Sequence, residues 1–542
     1  MAAKRVRSTD RSLRPEFGAT LVAGFVALAV TLLLRRAIEA PLFAEVVTDA
    51  TPALLNPSGF ATLLSELGSD GKPLLFLTVL VGQALGFAFL GVLAVQYYVR
   101  LRPMLPDDAP PALRYRATFW AFVGLLVVLV TTLIAATLTW TTPAVLPARA
   151  GWAELVLTLM ASSAVFVAVV VILAPERGGW LSAPESVRRR RDRDAVLDLS
   201  RRQMLRLSGG ALLGLGSGVV LGRDVWQRRG GGAQRTVRSG PTPEITPTED
   251  FYIISKNLFD PKVPIEQWAL SVFGGDQPDF LLRYEELLRR PARDLTVTMQ
   301  CISNEVGGDL MGNAVWTGFP LRELLEDAGI PEGTQFIAFR SWDGYTESLP
   351  LEFALRDSTM LATHMNGLPL SDAHGFPLRL LAPGKYGIKH PKWITEIAFF
   401  ETEIFGFWQQ RGWTQDGRMK TTSRIDQPFA GQTLVDGSVR LDGVAFSGDR
   451  AITRVEVSSD RGVSWQEAVL RPPLSPFSWV LWSLDTDVVS DNGRFNLLVR
   501  ATDGDGALQL LEPRPPDPDG SQGWHAVSVR VTEAAPDDES ET

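Results

Sequence analysis

Four apolar runs in the first 175 residues constrain this chain more than any other feature of it. They are residues 17–34 (FGATLVAGFVALAVTLLL), 74–99 (LLFLTVLVGQALGFAFLGVLAVQYYV), 117–140 (ATFWAFVGLLVVLVTTLIAATLTW) and 152–174 (WAELVLTLMASSAVFVAVVVILA). Each is long enough to cross a hydrocarbon core of about 30 Å as a helix. A chain that opens this way is expected to fold as a membrane region joined to other domains.

Charge divides at the same place. Residues 1–240 hold 27 Lys and Arg against 16 Asp and Glu, whereas the remainder holds 26 against 45. The basic head MAAKRVRSTDRSLR and the basic loops around Arg100 to Arg116 and Arg188 to Arg206 set the amino terminus in the cytoplasm, because positive loops stay inside. Residues 200–222 (SRRQMLRLSGGALLGLGSGVVLG) join Arg201 and Arg202 to a short glycine-rich apolar stretch. This is either a twin-arginine export signal within the chain or the start of a fifth membrane helix, and both put the downstream residues outside. The localisation expected is the cell membrane, multi-pass, with the downstream domains extracytoplasmic. All four histidines lie beyond residue 360, so no histidine pair can hold haem between the apolar segments, and no haem is expected.

Composition marks the other boundaries. Residues 1–222 form the membrane region with four or five helices, and residues 223–250, rich in Gly, Pro, Arg and Thr, read as a linker. Residues 251–419 mix periods: PLRELLEDAGI (320–330) predicts a helix, while QFIAFRS and PLRLLAP predict short strands, giving an α+β domain. From 420 to 533 strand-like segments stand alone between turn residues, as in SVRLDGVAFS, ITRVEVSSD, SWQEAVL, FNLLVRATD and WHAVSVRVTE. Their spacing predicts an Ig-like β-sandwich, followed by an acidic tail at 534–542.

The only cysteine, Cys301, sits in TVTMQCISNEVGG between an alternating run and a glycine turn. It can form no internal disulfide, which leaves inert core, nucleophile or metal ligand. The segment HGFPLRLLAPGKYGIKHPKW concentrates His374, Arg379, Lys385, Lys389, His390 and Lys392 in a part of the chain that is acidic overall. Alone it reads as a solvated basic face.

Taken in order, QCISNEVGG…NAVWTGFPLRELLEDAGI and MNGLPLSDAHGFPLRLLAPGKYGIKHPKWI resemble the molybdopterin domain of the sulfite oxidase family. GVAFSGDRAITRVEVSSDRGVSWQEA and LLVRATDGDGALQ resemble that family's dimerisation domain. The resemblance implies a molybdenum–molybdopterin cofactor with Cys301 as the metal's thiolate. It implies cofactor contacts from Ile254, Ser255, Lys256, Asn257, Leu258, Asp343, His374, Arg379, His390, Pro391 and Lys392, and backbone room for the pterin at Gly307 and Gly308. Lys256 stands where the family places an arginine against the substrate anion, and Trp413 where it places a tyrosine, so a hydroxyl is expected to be missing beside the metal. The catalytic set implied is Cys301, Lys256 and Trp413.

The implied function is oxygen-atom transfer on sulfite or another small sulfur compound, with a sulfoxide reductase as the alternative. The implied partners are a separate redox carrier (a cytochrome or a quinone-linked protein), the membrane and a second copy of the chain, with no nucleic acid. Two rivals of other classes remain: a zinc site built from Cys301, His364, His374 and His390, and a cofactor-free exported scaffold.

Overall fold

The computed structural model describes residues 240–532, apart from 258–259, 275–279, 436 and 489–493, together with the isolated residues Ala27, Thr78 and Val79. The four predicted membrane helices, the Arg201–Arg202 segment, Leu258 and the acidic tail otherwise lie outside the described residues. Among the described residues no helix is long and apolar enough to cross a membrane.

The first half of the described region holds ten strands: β1 (Leu270–Phe273), β2 (Phe280–Leu282), β3 (Arg293–Gln300), β4 (Met311–Pro320), β5 (Phe336–Ser341), β6 (Thr346–Pro350), β7 (Met360–Met365), β8 (Leu368–Pro369), β9 (Arg379–Leu381) and β10 (Ile394–Phe400). Three short helices accompany them: α1 (Tyr284–Leu288), α2 (Leu321–Ala328) and α3 (Leu351–Ala354). The strands form two sheets, ordered β2-β1-β10-β5-β6 and β3-β4-β7-β8, with β9 also pairing β7. Helix α2 shows why the sequence folds this way. Leu321, Leu324, Leu325 and Ala328 recur at i, i+3, i+4 and i+7 and are all buried, and Gly329, at φ +74°, ends the helix in a conformation other residues resist.

The second half is all strand: β11 (Thr422–Gln427), β12 (Thr433–Val435), β13 (Gly437–Phe446), β14 (Ile452–Ser458), β15 (Gln466–Glu467), β16 (Val469–Leu470), β17 (Val480–Val488), β18 (Arg494–Asp503) and β19 (His525–Thr532). Two sheets, β11-β13-β17-β16 and β12-β19-β18-β14-β15, share one apolar core. Leu441, Ala445, Val480 and Trp482 enter it from the first sheet, and Val455, Leu497, Val499, Ala501, Val527 and Val529 from the second. Gly443 is obligatory here, since a Cβ at that position would lie 2.0 Å from the Arg424 carbonyl oxygen and 2.5 Å from the Trp482 ring.

Residues 240–250, the end of the stretch read as a linker, are packed against both halves. The Glu244 carbonyl accepts from Asn313 Nδ2 (2.8 Å) on β4 and from Trp479 Nε1 (3.2 Å) before β17. Thr246 N donates to the Asn313 carbonyl at 2.8 Å, and Asn366 Nδ2 returns a bond to the Thr246 carbonyl at 3.0 Å. Backbone polar groups that would otherwise need water are satisfied within the fold, which makes this segment a strap.

Candidate active site

Strand β3 ends at Gln300, and the chain turns at once into the loop that carries Cys301. The thiol is buried, 5% exposed, and Cys301 Sγ lies 2.9 Å from Ser303 Oγ. Burial raises its pKa while the Ser303 contacts oppose the rise. In this setting the uncharged thiol is favoured unless a cation stands beside it.

Cys301 lines a cleft that opens to solvent. Other walls come from far along the sequence: Tyr252 to Lys256 after the strap, Asp343 and Tyr345 from the β5–β6 turn, Ala373 and His374 from a short turn, Arg379 opening β9, and Gly387, Ile388 and His390 to Trp393 before β10. Ten of the residues that the family resemblance implied therefore line one cleft: Ile254, Ser255, Lys256, Cys301, Asp343, His374, Arg379, His390, Pro391 and Lys392.

Asn257 stands just behind the wall. Its Oδ1 accepts from Lys256 Nζ (2.8 Å), and its Nδ2 donates to Asp343 Oδ2 (2.9 Å). Lys256 and Asp343 also approach within 3.5 Å, both nearly inaccessible. The triangle fixes the ammonium at the cleft without leaving either charge uncompensated.

Burial holds the two cleft histidines, His374 and His390, in the neutral form. His390 Nδ1 accepts from Ala382 N (3.3 Å), so Nε2 carries the proton toward the Lys385 carbonyl at 3.1 Å. Burial, with Arg379 adding repulsion, pushes its pKa down to about 3. His374 is pushed down to about 4 by the same two causes, and its Nε2 faces the Thr248 carbonyl of the strap at 3.1 Å. Arg379 is itself pushed down to about 10 by burial. Both ring nitrogens of His390 are thus committed to the backbone, and among the described residues no three His, Cys, Asp or Glu side chains converge to hold a metal. The zinc reading finds no support in this geometry.

Three residues, Trp413, Gly307 and Gly308, stand elsewhere than expected. Trp413 is buried but does not line the cleft; Trp408, five residues earlier, does. Tyr345 places a hydroxyl on the cleft wall, where its Oη donates to the Ile388 carbonyl at 2.6 Å and burial raises its pKa strongly. Gly307 and Gly308 do not line the cleft either. Gly307, at φ +74°, faces His525 of β19, where a Cβ would come within 2.2 Å of the imidazole. Of the basic segment, Lys385 pairs with Asp416 and Lys389 with buried Glu347, so neither faces the cleft.

Sequence reasoning missed Tyr252, Tyr345 and Trp408. Tyr345 stands two positions after Asp343 in the β5–β6 turn, where Gly344 at φ +78° reverses the chain, so no strand period points to it.

The donor set fits a large anionic cofactor. Tyr252 Oη and Arg379 Nε are buried without a hydrogen-bond partner, an arrangement that costs free energy unless a ligand completes it. Arg379 offers a guanidinium matched to phosphate, and Cys301 offers the soft sulfur that suits molybdenum.

Comparison with known proteins gives the same class. Residues 258–408 match the oxidoreductase molybdopterin binding domain, and residues 415–514 match the Mo-co oxidoreductase dimerisation domain. The described residues therefore combine a molybdopterin-binding domain with a Mo-co dimerisation domain. The chain is 30% identical to mitochondrial sulfite oxidase of Rattus norvegicus over 355 residues, which is 55% of this chain and 65% of that protein. It is also 30% identical to the Homo sapiens protein of the same name over 359 residues, with the same coverage of each. An inducible NADH nitrate reductase of Glycine max is 27% identical over 49% of this chain and 38% of its own length. The described residues are thus similar to the sulfite oxidase family of molybdopterin oxidoreductases, and the chain spans 65% of the length of the mammalian sulfite oxidases it matches.

Proposed function

We propose that this chain is a membrane-anchored, extracytoplasmic molybdenum oxidoreductase that transfers an oxygen atom on sulfite or a related small sulfur compound. One observation carries the reading: the only thiol of the chain lines the same cleft as Lys256, Tyr345 and Arg379. Arg379, His374, His390 and Lys392 would hold the pterin and its phosphate, with Asn257 and Asp343 bracing the wall. Cys301 would bind the metal. When bound, the cofactor supplies the two-electron oxygen-transfer chemistry that amino-acid side chains lack.

The chain's own residues set the conditions. Lys256 places one positive charge where a small oxyanion would sit, and Asn257 and Asp343 keep that ammonium aimed. Tyr345 presents a phenol that stays protonated, because burial opposes the phenolate. The neutral rings of His374 and His390 add no competing charge. Electrons would pass to a separate carrier, and the sandwich would serve as an Ig-like dimerisation module. The basic amino-terminal loops and the Arg201–Arg202 segment support the anchored, exported topology.

Lys256 tests the substrate assignment. An ammonium grips an oxyanion without the fork that a guanidinium provides, and one charge-assisted hydrogen bond is worth about 1.5 to 3 kcal/mol, or roughly tenfold to a hundredfold in affinity. Steady-state assays should show weak capture of sulfite by the wild type, a lower KM in Lys256→Arg and a higher one in Lys256→Met. Equal KM values in all three would remove Lys256 from the substrate site.

A further inference from the structure

The loop that carries Cys301 is gripped from the sandwich. Arg424, on β11, uses every edge of its guanidinium: Nε donates to Asp426 Oδ1 (2.6 Å), Nη1 to the Gly308 carbonyl (2.6 Å) and Nη2 to Thr242 Oγ1 (3.1 Å). Thr242 Oγ1 in turn donates to Asp426 Oδ2 at 2.5 Å, so the three side chains close a ring. All three are buried, and strand register shifts between Ile425 and Gln427, where Asp426 stands. A bulge of this kind re-aims a side chain that regular pairing would carry elsewhere.

Two further contacts act on the same loop. Ser521 Oγ donates to the Asn304 carbonyl at 2.6 Å, and the His525 ring fills the space above Gly307. His525 is oriented by Ile425 N, which donates to its Nδ1 at 3.0 Å. Within the loop, Cys301 N donates to the Leu310 carbonyl, Asn304 N to the Cys301 carbonyl, Gly308 N to the Glu305 carbonyl, Leu310 N to Asn304 Oδ1 and Met311 N to the Asp309 carbonyl, and Cys301 Sγ meets Ser303 Oγ, which leaves the Gly307 turn itself held by one bond. A glycine-containing turn with so few internal bonds depends on outside contacts to keep one conformation.

We infer that Arg424 is a positioning residue for Cys301: with Asp426 and Thr242 it locks the thiol-bearing loop, so that both the sandwich and the strap set where the sulfur stands. The inference rests on the reading of Cys301 as the metal's thiolate for its consequence, though not for the lock itself. A buried guanidinium bonded to a loop carbonyl, a neighbouring carboxylate and a hydroxyl from 182 residues upstream is more than a dimerisation surface requires.

Hydrogen exchange on the full-length, cofactor-loaded protein tests the lock. Arg424→Met keeps the aliphatic stem and removes all three bonds. Peptides covering 301–310 should exchange at least tenfold faster in that variant, while peptides from β17 keep the wild-type rate. Arg440→Met, which removes an exposed arginine of β13, should change neither. Ser521→Ala, which leaves the ring intact, should speed the same loop by a smaller factor and serves if Arg424→Met does not fold. Loop exchange at the wild-type rate in the folded variants, or an increase shared equally by β17, would overturn the inference. The thiolate-to-metal absorption band provides the second arm. It should shift or broaden in Arg424→Met at unchanged molybdenum content, and an unaltered band over a loosened loop would show that the lock does not position the sulfur. Absence of molybdenum from the wild type as well would instead defeat the cofactor reading and leave the exchange result standing.

Discussion

Replacing Glu347 by Gln should destabilise the catalytic half more than any surface change could. Glu347 and Lys389 are both inaccessible to solvent, and their Oε1 and Nζ atoms lie 2.7 Å apart. The carboxylate also accepts from Ser348 N (2.8 Å) and Gln409 Nε2 (3.1 Å), while Lys389 donates to the Ser348 carbonyl (3.2 Å). Burial raises the Glu347 pKa and Lys389 opposes the rise, so the pair is stable only as a pair. Gln keeps the shape, but its single amide oxygen cannot accept both where Ser348 N and Lys389 donate and where Gln409 Nε2 donates, and the buried ammonium loses its countercharge. Breaking a buried pair on one side costs about 3 to 5 kcal/mol, whereas exchanging both partners for neutral groups costs much less. Glu347→Gln should therefore lower the unfolding free energy by about 3 kcal/mol or more, and Glu347→Gln/Lys389→Met should recover about 2 kcal/mol of that loss. Denaturant titration of the full-length protein in detergent measures both. A single variant within about 1 kcal/mol of wild type, or a double variant whose loss is the sum of the singles, would refute the argument. The cleft should report the same event, because Lys389 immediately precedes His390, Pro391 and Lys392 on its wall. Cofactor retention should fall in parallel.

Two other outcomes rest on the same physics. His525 is neutral in the fold because burial, with Arg424 beside it, pushes its pKa down to about 4 from an ordinary 6.5. The folded value is the lower one, so its contribution to stability is full above about pH 6.5 and is lost as pH falls toward 4; between pH 7 and pH 5 wild type should lose about 2 kcal/mol more than His525→Asn, whose amide oxygen still accepts from Ile425 N. Equal losses in denaturant titrations at the two pH values would count against a buried neutral ring. If Arg201 and Arg202 are read as an export signal, changing both to Lys should strand the catalytic half in the cytoplasm although the charge bias is kept. Unchanged protease accessibility from outside would favour a simple membrane anchor.

Local patterns carried the fold further than the site. Helix α2 was legible from four apolar residues at helical spacing and a glycine stop, and β13, β14, β18 and β19 from short apolar runs between turn residues. Strand β17 was readable in the same way, since Val480, Trp482 and Leu484 alternate, but its neighbours drew no attention to it. Within the site, motif resemblance grouped His374, Arg379, His390 and Lys392, and these line one cleft because they lie in one short stretch that wraps it. It misjudged Trp413, because a position aligned by neighbouring residues need not face the cleft once the turn at Gln409 to Arg411 is folded. The glycines after Cys301 were misread for a related reason. A positive φ and a tight approach are visible as glycine in sequence, while the group that approaches is His525, more than 200 residues away. The strap and the Arg424 ring depend on the same kind of distant pairing, which no local period records.

The central claim is that Cys301 binds molybdenum at this cleft. Metal analysis and visible absorption of the full chain and of Cys301→Ser, both produced in a molybdopterin-competent host, test it most directly. The wild type should carry stoichiometric molybdenum and a thiolate-to-metal band. Cys301→Ser should fold, lose the band and lose turnover, because a hard alcohol replaces a soft thiolate. Zinc or no metal in the wild type, or near-normal turnover in Cys301→Ser, would contradict it.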